Sequence, residues 1–524
     1  MKTLLHNGVY FPPDYERLPK TIYLKYDGKQ VELNEQAEEA AVLYARYVGT
    51  AYLDNPTFVR NFWEDWKLML KDTPIKSITK CDFSKIHNYL EKKKEKRKNY
   101  TKEKKQKLKE QRDATLEPYR WCFVDGEKQP VESFIIEPPG LFMGRGKHPL
   151  AGKIKHRILP RDITLNLSRR APHPKPNVPG RWGGIINDMQ GLWIARWKAP
   201  ITNKMKYVFL ARSSKQRSSR DVQKYEKARK LKKKINKIRK QYTNEMQSSD
   251  KRTKMIACAV YLIDRLALRV GNEKSEDQAD TVGATSLRVE HIHLQANNYI
   301  KLDFLGKDSV RYVNRVKVEP IVWINLKEFI KDKSSNHDIF DVSSGDINEY
   351  LHKHMKDLTA KVFRTYNASH VLQIELKKLE PKFRKIHSQE LSERQRHTEM
   401  VRHYNTACRK VAELCNHQKD VAKGHGDAIE KMQDRMKDLK KKLEQATEKK
   451  APAIEKRINE LKQRIKEKNL NKNITLTTSR ANYIDPRITV SFFKRHDIPI
   501  EKVFSKTLLK NFDWSLNTNQ GYEF

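Results

Sequence analysis

Apolar positions along this chain change their spacing from one stretch to the next, and those changes mark the elements. The first twenty residues are punctuated by Pro12, Pro13 and Pro19 and read as extended. From residue 20 to about residue 90, short strand-like and helical patterns mix, with Glu35–Tyr52 as a helical example. Glu91 to Arg112 reads EKKKEKRKNYTKEKKQKLKEQR, almost without apolar period. Its plainest reading is a solvated helix face, with a DNA-facing patch as the alternative. Residues 113–215 are rich in strand and loop signals. There APHPKPNVPG (171–180) is a loop, and Leu192–Trp197 and Lys206–Leu210 are strands.

The pattern turns helical at Asp221. Leu231, Ile235 and Ile238 stripe the segment Lys224–Tyr242 at spacings of four and three, beneath a dense layer of Lys and Arg. Met255–Val270 is apolar enough for a buried helix. Between Asp427 and about Leu470 the pattern narrows. Ile429, Met432, Met436, Leu439, Leu443 and Ala446 step by 3, 4, 3, 4, 3, and after Pro452 the residues Ile454, Ile458, Leu461 and Ile465 step by 4, 3, 4. That seam predicts an antiparallel helical hairpin, polar on its other faces and projecting into solvent.

Composition narrows the classes of function. The chain has 524 residues, with 107 Lys+Arg against 65 Asp+Glu, a net charge of +42. Hydrophobic residues make up 37%, below the roughly 45–50% of ordinary globular domains, so the core is thin relative to the surface. The longest apolar run, Met255–Ile263, has nine residues, far short of the ~20 a membrane-spanning helix needs. The first residues, MKTLLHNGVYFPP, lack a secretory apolar stretch. Cys81, Cys122, Cys258, Cys408 and Cys415 form no CxxC pair, which suits a reducing compartment. Eight Trp exclude wholesale disorder. What is left is a polyanionic partner, nucleic acid first, although a membrane surface fits the charge equally.

Two phosphate-binding candidates fail on spacing. GLFMGRGKH (140–148) puts five residues between Gly140 and Gly146, where a Walker loop has four, and follows Gly-Lys with His. FLGKDS (304–309) has a lone Gly-Lys. HIH at 291–293 puts two imidazoles on one side of a strand, but with no further ligand cluster nearby it reads as a surface strand. Reversible cleavage of a phosphodiester without ATP or metal calls for a different set. A Tyr nucleophile stores the bond energy, two Arg and a His meet the developing charge, and a Lys protonates the leaving oxygen.

Five segments in one order supply that set: LALRVGNEK (266–274), FLGKDSVRY (304–312), TAKVFRTYNAS (359–369), LCNHQK (414–419) and SRANYIDPRI (479–488). They closely resemble the signature segments of eukaryotic type IB DNA topoisomerase I. The likeness runs from VYFPPDYERLP (9–19) to GYEF (521–524). The resemblance implies Tyr483 as nucleophile, Arg269 and Arg364 as phosphate clamps, His417 as donor to a non-bridging oxygen, and Lys307 as general acid. It implies DNA contacts at Arg145, Lys206, Tyr207, Asn272, Lys274, Asp308, Lys361 and Asn482. Arg145, Asp308 and Asn482 also match positions where camptothecin-type inhibitors bind in the family.

The implied fold is α+β and multidomain, a bi-lobed DNA clamp. Residues 1–19 and 101–214 would form a strand-rich core subdomain I, and 20–100 a core subdomain II, together a mixed α/β cap. Residues 215–418 would be a mainly helical catalytic subdomain III resembling tyrosine recombinases, 419–470 an antiparallel coiled-coil linker, and 471–524 a C-terminal domain carrying Tyr483. The implied activity is relaxation of positive and negative supercoils through a 3′-phosphotyrosine. The partner is double-stranded DNA, with no membrane and no cofactor or metal, and the enzyme acts as a monomer. Two other readings stand beside it: a tyrosine site-specific recombinase, and a non-catalytic basic nucleic-acid-binding protein.

Some positions depart from the family pattern. Met143 and Lys147 stand where Arg and Asn are expected, Phe209 where Met is, and Ala481 where Leu is. These bear on drug response and sequence preference and remove no catalytic group. The stretch between His417 and Tyr483 is shorter than in animal members. Nuclear placement is expected, with import relying on Lys/Arg clusters such as 92–98, because Met1 falls just ahead of the core segments. A viral or organelle form, or a shortened chain, is the alternative.

Overall fold

The computed structural model describes residues 1–272, 279–419, 421–422 and 424–524. The chain is α+β and divides into two compact units. One consists chiefly of Met1–Asp221, the other chiefly of Val222–Glu273 and Thr281–Phe524.

Alternating burial builds a seven-stranded sheet in the first unit. In spatial order its strands are Leu4–His6, Trp121–Val124, Glu127–Glu132, Met205–Leu210, Trp193–Lys198, Thr164–Asn166 and Gly184–Ile186. Neighbours are antiparallel except the last pair, which is parallel. On Met205–Leu210 the even positions Val208 and Leu210 are buried, while Tyr207 and Phe209 stay 39% and 40% exposed and stack on each other. That is the period-two signature of a sheet covered on one face. Both strands expected from sequence are found, each shifted by about one residue.

A second small core in this unit gathers Leu24, Tyr44, Phe58, Phe62, Trp66 and Ile86. It is built on α1 (Glu35–Ala45), α2 (Pro56–Trp66) and α3 (Ser84–Lys98). Asn34 and Asn55 cap the first two helices through their side-chain oxygens. The first helix ends at Ala45, short of the expected Tyr52, and the chain then runs turn upon turn through Gly49 at φ 74°. The charge run resolves into α3 and α4 (Lys102–Leu116), separated where Thr101 accepts a hydrogen bond from Lys104 N as an N-cap. Among their residues only Ile86 and Leu116 are buried, so the run is a solvated surface.

The second unit holds the larger core. The helix α5 (Lys215–Glu245), which belongs to this unit from Val222 on, begins six residues before the expected Asp221 and buries Leu231, Ile235 and Ile238 as predicted. Next comes α6 (Lys251–Arg265), capped by Asp250, almost wholly buried in its second half. The helical reading to Val270 fails. Ala267 takes a left-handed backbone at φ 49°, so Leu268–Val270 leave the helix. Beyond the surface strand read at 291–293, which begins at Ile292, the sequence pattern missed a three-stranded antiparallel sheet of Ile292–Gln295, Tyr299–Leu305 and Arg311–Lys317. His291 sits in a one-turn helix before that sheet, where its Nδ1 accepts from Arg288 N, so His291 and His293 do not share a strand.

The remaining helices are α7 (Pro320–Ile330), α8 (Ser344–His354), α9 (Ala360–His387), α10 (Glu393–Leu414), α11 (His425–Glu444), α12 (Ala451–Leu470), α13 (Leu476–Asn482), α14 (Pro486–Arg495) and α15 (Lys506–Asn511). The long α9 packs against α6 and α10 and is the spine of the unit. The helices α11 and α12 pack together, and a His425–Asn469 contact of 3.1 Å joins the start of one to the end of the other, so they run antiparallel. No residue of α11 is buried, and of α12 only Ile458 and Leu461 are, both on the predicted seam.

One buried carboxylate ties α5 to α6. Asp264 accepts from Arg239 Nε at 2.8 Å, Arg239 Nη2 at 3.0 Å and Tyr242 Oη at 2.9 Å. Its side chain is fully buried, while that of Arg239 is 25% exposed. Asp264→Ala leaves a half-buried guanidinium and a buried phenol without their acceptor. Urea unfolding of the variant should show a loss of about 3 kcal/mol, the scale for breaking a buried pair from one side.

Candidate active site

Loops and helix ends, together with Arg364 on α9, present the polar residues that converge in the second unit. The first is the exit from α6. The Ala267 carbonyl accepts from Arg364 Nη1 at 2.6 Å, and the Asp264 carbonyl from Asn367 Nδ2 at 2.6 Å. Both donors stand on α9, so one helix holds the end of another. Arg269 follows two residues on. Its carbonyl accepts from Ala284 N at 2.8 Å, the Val270 carbonyl accepts from Thr285 N at 2.7 Å, and Val282 N donates to the Leu305 carbonyl at 2.8 Å. The segment crosses so closely that a Cβ on Gly283 would lie 2.4 Å from Gly271 N. Only glycine permits that crossing.

The strand Tyr299–Leu305 then leads to Lys307, in the connection Gly306–Val310. Gly306 N closes this turn onto the Val310 carbonyl at 2.9 Å. Asp308 (φ 68°) and Ser309 (φ 57°) are both left-handed without being glycine, a conformation that costs on the order of 1 kcal/mol per residue and concentrates at functional turns. His417 follows the end of α10. There Asn416 N bonds to the Glu413 carbonyl at 3.0 Å and His417 N to the Ala412 carbonyl at 2.8 Å, around a left-handed Asn416 at φ 49°. This is the Schellman ending, and it fixes the backbone of the histidine. Arg364 Nη2 donates to the Cys415 carbonyl at 2.7 Å.

Tyr483 occupies the elbow between α13 and α14. Asp485 caps α14 by accepting from Arg487 N, and Pro486 takes the first helical position, so α13 cannot run on. The elbow is held from α9, where the Ser369 hydroxyl donates to the Tyr483 carbonyl at 3.2 Å and accepts from Asp485 N at 3.0 Å. The tyrosine ring stacks on His417 with centroids 5.3 Å apart, and the Arg364 guanidinium lies 5.1 Å from its centre.

Arg269, Lys307, Asp308, Arg364 and His417 all line one cleft of about 150 Å³, and Tyr483 lies against it through His417 and Arg364. Arg364 and His417 are 6% exposed. Two buried nitrogens there, Arg364 Nε and His417 Nε2, have no hydrogen-bond partner among the described residues. Burial, followed by the charges of Arg364 and Arg269, pulls the His417 pKa from 6.5 down to about 3. Its ring is therefore neutral, with Nδ1 2.6 Å from the Ser479 hydroxyl. Fixed cations and unspent donors around a small cleft suit a bound anion with developing negative charge.

The other sequence candidates are more scattered. Asn482 is exposed beside Tyr483 and donates to the Thr478 carbonyl at 3.1 Å. Lys361 is exposed on the first turn of α9, and Asn272 is exposed beyond Arg269. Lys274 lies outside the described residues. Arg145, Lys206 and Tyr207 belong to the first unit. Arg145 is exposed between Gly144 and Gly146, both left-handed, and Lys206 pairs with Glu137 at 2.9 Å. Sequence reasoning missed Ser479 and Ser369, as well as Thr475 and Thr478, which line the cleft. Ser479 had one readable signal, its place one helical turn before Tyr483.

Comparison with known proteins covers almost the whole chain. The description "Eukaryotic DNA topoisomerase I, DNA binding fragment" matches residues 1–210, "Eukaryotic DNA topoisomerase I, catalytic core" matches 213–450, and "C-terminal topoisomerase domain" matches 455–524. The chain is 40% identical to DNA topoisomerase 1 beta of Arabidopsis thaliana, over 100% of its own length and 59% of the relative's. Against DNA topoisomerase 1 of Homo sapiens the identity is 39%, covering 100% and 72%. Against the mitochondrial DNA topoisomerase I of Rattus norvegicus it is 37%, covering 100% and 92%. The chain spans just over half the length of the Arabidopsis and Drosophila melanogaster relatives, 59% and 55%.

The lowered His417 pKa has a consequence for folding. The unfolded chain takes up a proton near pH 6.5 and the folded site only near 3, so this group's contribution is present above pH 6.5 and is lost as pH falls through that window. Urea midpoints at pH 7.5 and 5 should therefore drop further in the wild type than in His417→Gln. An equal drop in both would show that the ring is not held neutral.

Proposed function

This chain belongs to the eukaryotic DNA topoisomerase I family, and we propose that it relaxes supercoiled DNA by transient cleavage of one strand. The observation that carries the reading is the convergence of Arg269, Lys307, Arg364 and His417 on one cleft beside Tyr483, with buried nitrogens of Arg364 and His417 left unpaired among the described residues. In the proposed reaction the Tyr483 oxygen attacks a backbone phosphorus, forming a 3′-phosphotyrosine as the bond to the 5′ oxygen breaks. Lys307 gives that oxygen its proton. Arg269, Arg364 and the neutral His417 meet the charge on the non-bridging oxygens. The free end turns about the intact strand, and the 5′-hydroxyl attacks the ester to restore the backbone. Torsion drives the change and the ester keeps the bond energy, so ATP has no part.

Arg145, Lys206, Tyr207, Asn272, Lys274, Asp308, Lys361 and Asn482 are proposed DNA contacts. The basic residues among them grip mainly phosphate, which gives weak sequence preference and steep salt dependence. In this reading α11 and α12 form a coiled-coil linker, the catalytic unit is akin to tyrosine recombinases, the enzyme works as a monomer, and its compartment is the nucleus. The helical hairpin between His417 and Tyr483 favours a topoisomerase over a recombinase. Among the described residues no helix is long and apolar enough to cross a membrane.

Plasmid relaxation in EDTA without ATP tests the reading on a supercoiled circle that carries no special recombination site. The wild type should relax it and Tyr483→Phe should not. Undiminished relaxation by Tyr483→Phe would sink the proposal, and a wild type that leaves this circle supercoiled would point to a recombinase. Arg364→Lys keeps a charge but cannot bridge the Ala267 and Cys415 carbonyls while still facing a phosphate. Single-turnover cleavage by that variant should fall by about 100-fold, the scale for losing one fixed transition-state donor.

A further inference from the structure

One polar contact of the cleft has no role in the reaction just described. Ser479 is fully buried, and its hydroxyl makes a single hydrogen bond among the described residues, to His417 Nδ1 at 2.6 Å. A buried O–H needs an acceptor, and a neutral imidazole offers one through its unprotonated nitrogen. If Nδ1 accepts, the ring proton sits on Nε2, the nitrogen left without a partner. The opposite tautomer would strand the serine proton and turn a lone pair, not a donor, toward any anion in the cleft. Ser479 also controls the nucleophile's backbone, because its carbonyl accepts from Tyr483 N at 2.9 Å and Ile484 N at 3.0 Å.

We propose that Ser479 is a positioning residue, whose hydroxyl locks His417 in the tautomer that donates from Nε2 to a non-bridging phosphate oxygen during strand cleavage. The inference rests on the topoisomerase reading above. It adds a division of labour: three cations supply charge, and a serine supplies the direction of the one neutral donor. Because Ser479 stands one helical turn before Tyr483, donor and nucleophile are set by the same short helix.

Single-turnover cleavage of a suicide duplex by the full chain tests this, with duplex affinity and Tm measured alongside. Ser479→Ala should slow cleavage on the order of tenfold, the scale of one buried hydrogen bond, with affinity unchanged and Tm lowered by only a few degrees. In a His417→Ala background the same substitution should slow nothing further, since the serine acts only through that ring. An unslowed Ser479→Ala overturns the inference, and so does equal slowing in both backgrounds, which would mark a general structural effect. A wild-type chain that forms no covalent complex overturns the preceding reading and this inference together.

Discussion

Everything in the second unit's cleft hangs from the fork of Arg364. Its two terminal nitrogens donate to the carbonyls of Ala267 and Cys415, one beyond the end of α6 and one at the end of α10. Carbonyls at helix C-termini have no partner of their own and carry the negative end of the helix dipole. A guanidinium is the one side chain that can span two of them and still keep N–H groups in reserve. Burying that charge is expensive, and the carbonyl pair offsets the expense. The same two bonds hold the left-handed turns at Ala267 and Asn416 in place. Arg269 and His417 leave those turns within two residues, so their positions follow from that of Arg364.

Charge in this chain divides into two kinds. Most of the excess of +42 lies on solvated surface, as on α3 and α4, where nearly every residue is open to water. Such charge sets the long-range attraction to a polyanion and is screened by salt. A few charges are buried and directed. Arg364 spans two carbonyls, and Asp264 gathers Arg239 and Tyr242 at the start of the same loop. These fix geometry, and salt barely reaches them.

The sequence made some of this legible and hid the rest for identifiable reasons. The hairpin seam was readable because its apolar steps of three and four depend only on local period, and Ile458 and Leu461 are buried where that period puts them. Periodicity overran the end of α6, because nothing in the run Leu266–Val270 announces a left-handed Ala267. The turn around Lys307 was hidden for a similar reason. Its strand Tyr299–Leu305 alternates well, yet the sheet exists only through partners at 292–295 and 311–317. The five residues of the reaction set came from required chemistry and from resemblance, and no spacing rule would have brought them together. Ser479 and Ser369 escaped because each acts through tertiary hydrogen bonds of its hydroxyl, one for Ser479 and two for Ser369.

His417 and Tyr483 are separated by the whole of α11 and α12, yet their rings stack. Closing so long a loop carries an entropy cost that grows slowly with length, so a long insertion is tolerated where its ends are pinned. Here they are pinned by backbone. Lys419 N bonds to the Asn473 carbonyl at 2.9 Å, Thr475 N bonds to the His417 carbonyl at 2.9 Å, and Gln418 pairs with Ile474 as an antiparallel bridge. With that short ladder formed, the histidine and the start of α13 behave as neighbours in one hairpin. The Ser479–His417 bond and the ring stack then need only the one further turn that α13 provides. A nucleophile far along the sequence can therefore be held as firmly as the residues of α9, because the intervening helices branch off beyond the ladder and add nothing to the distance between the rings.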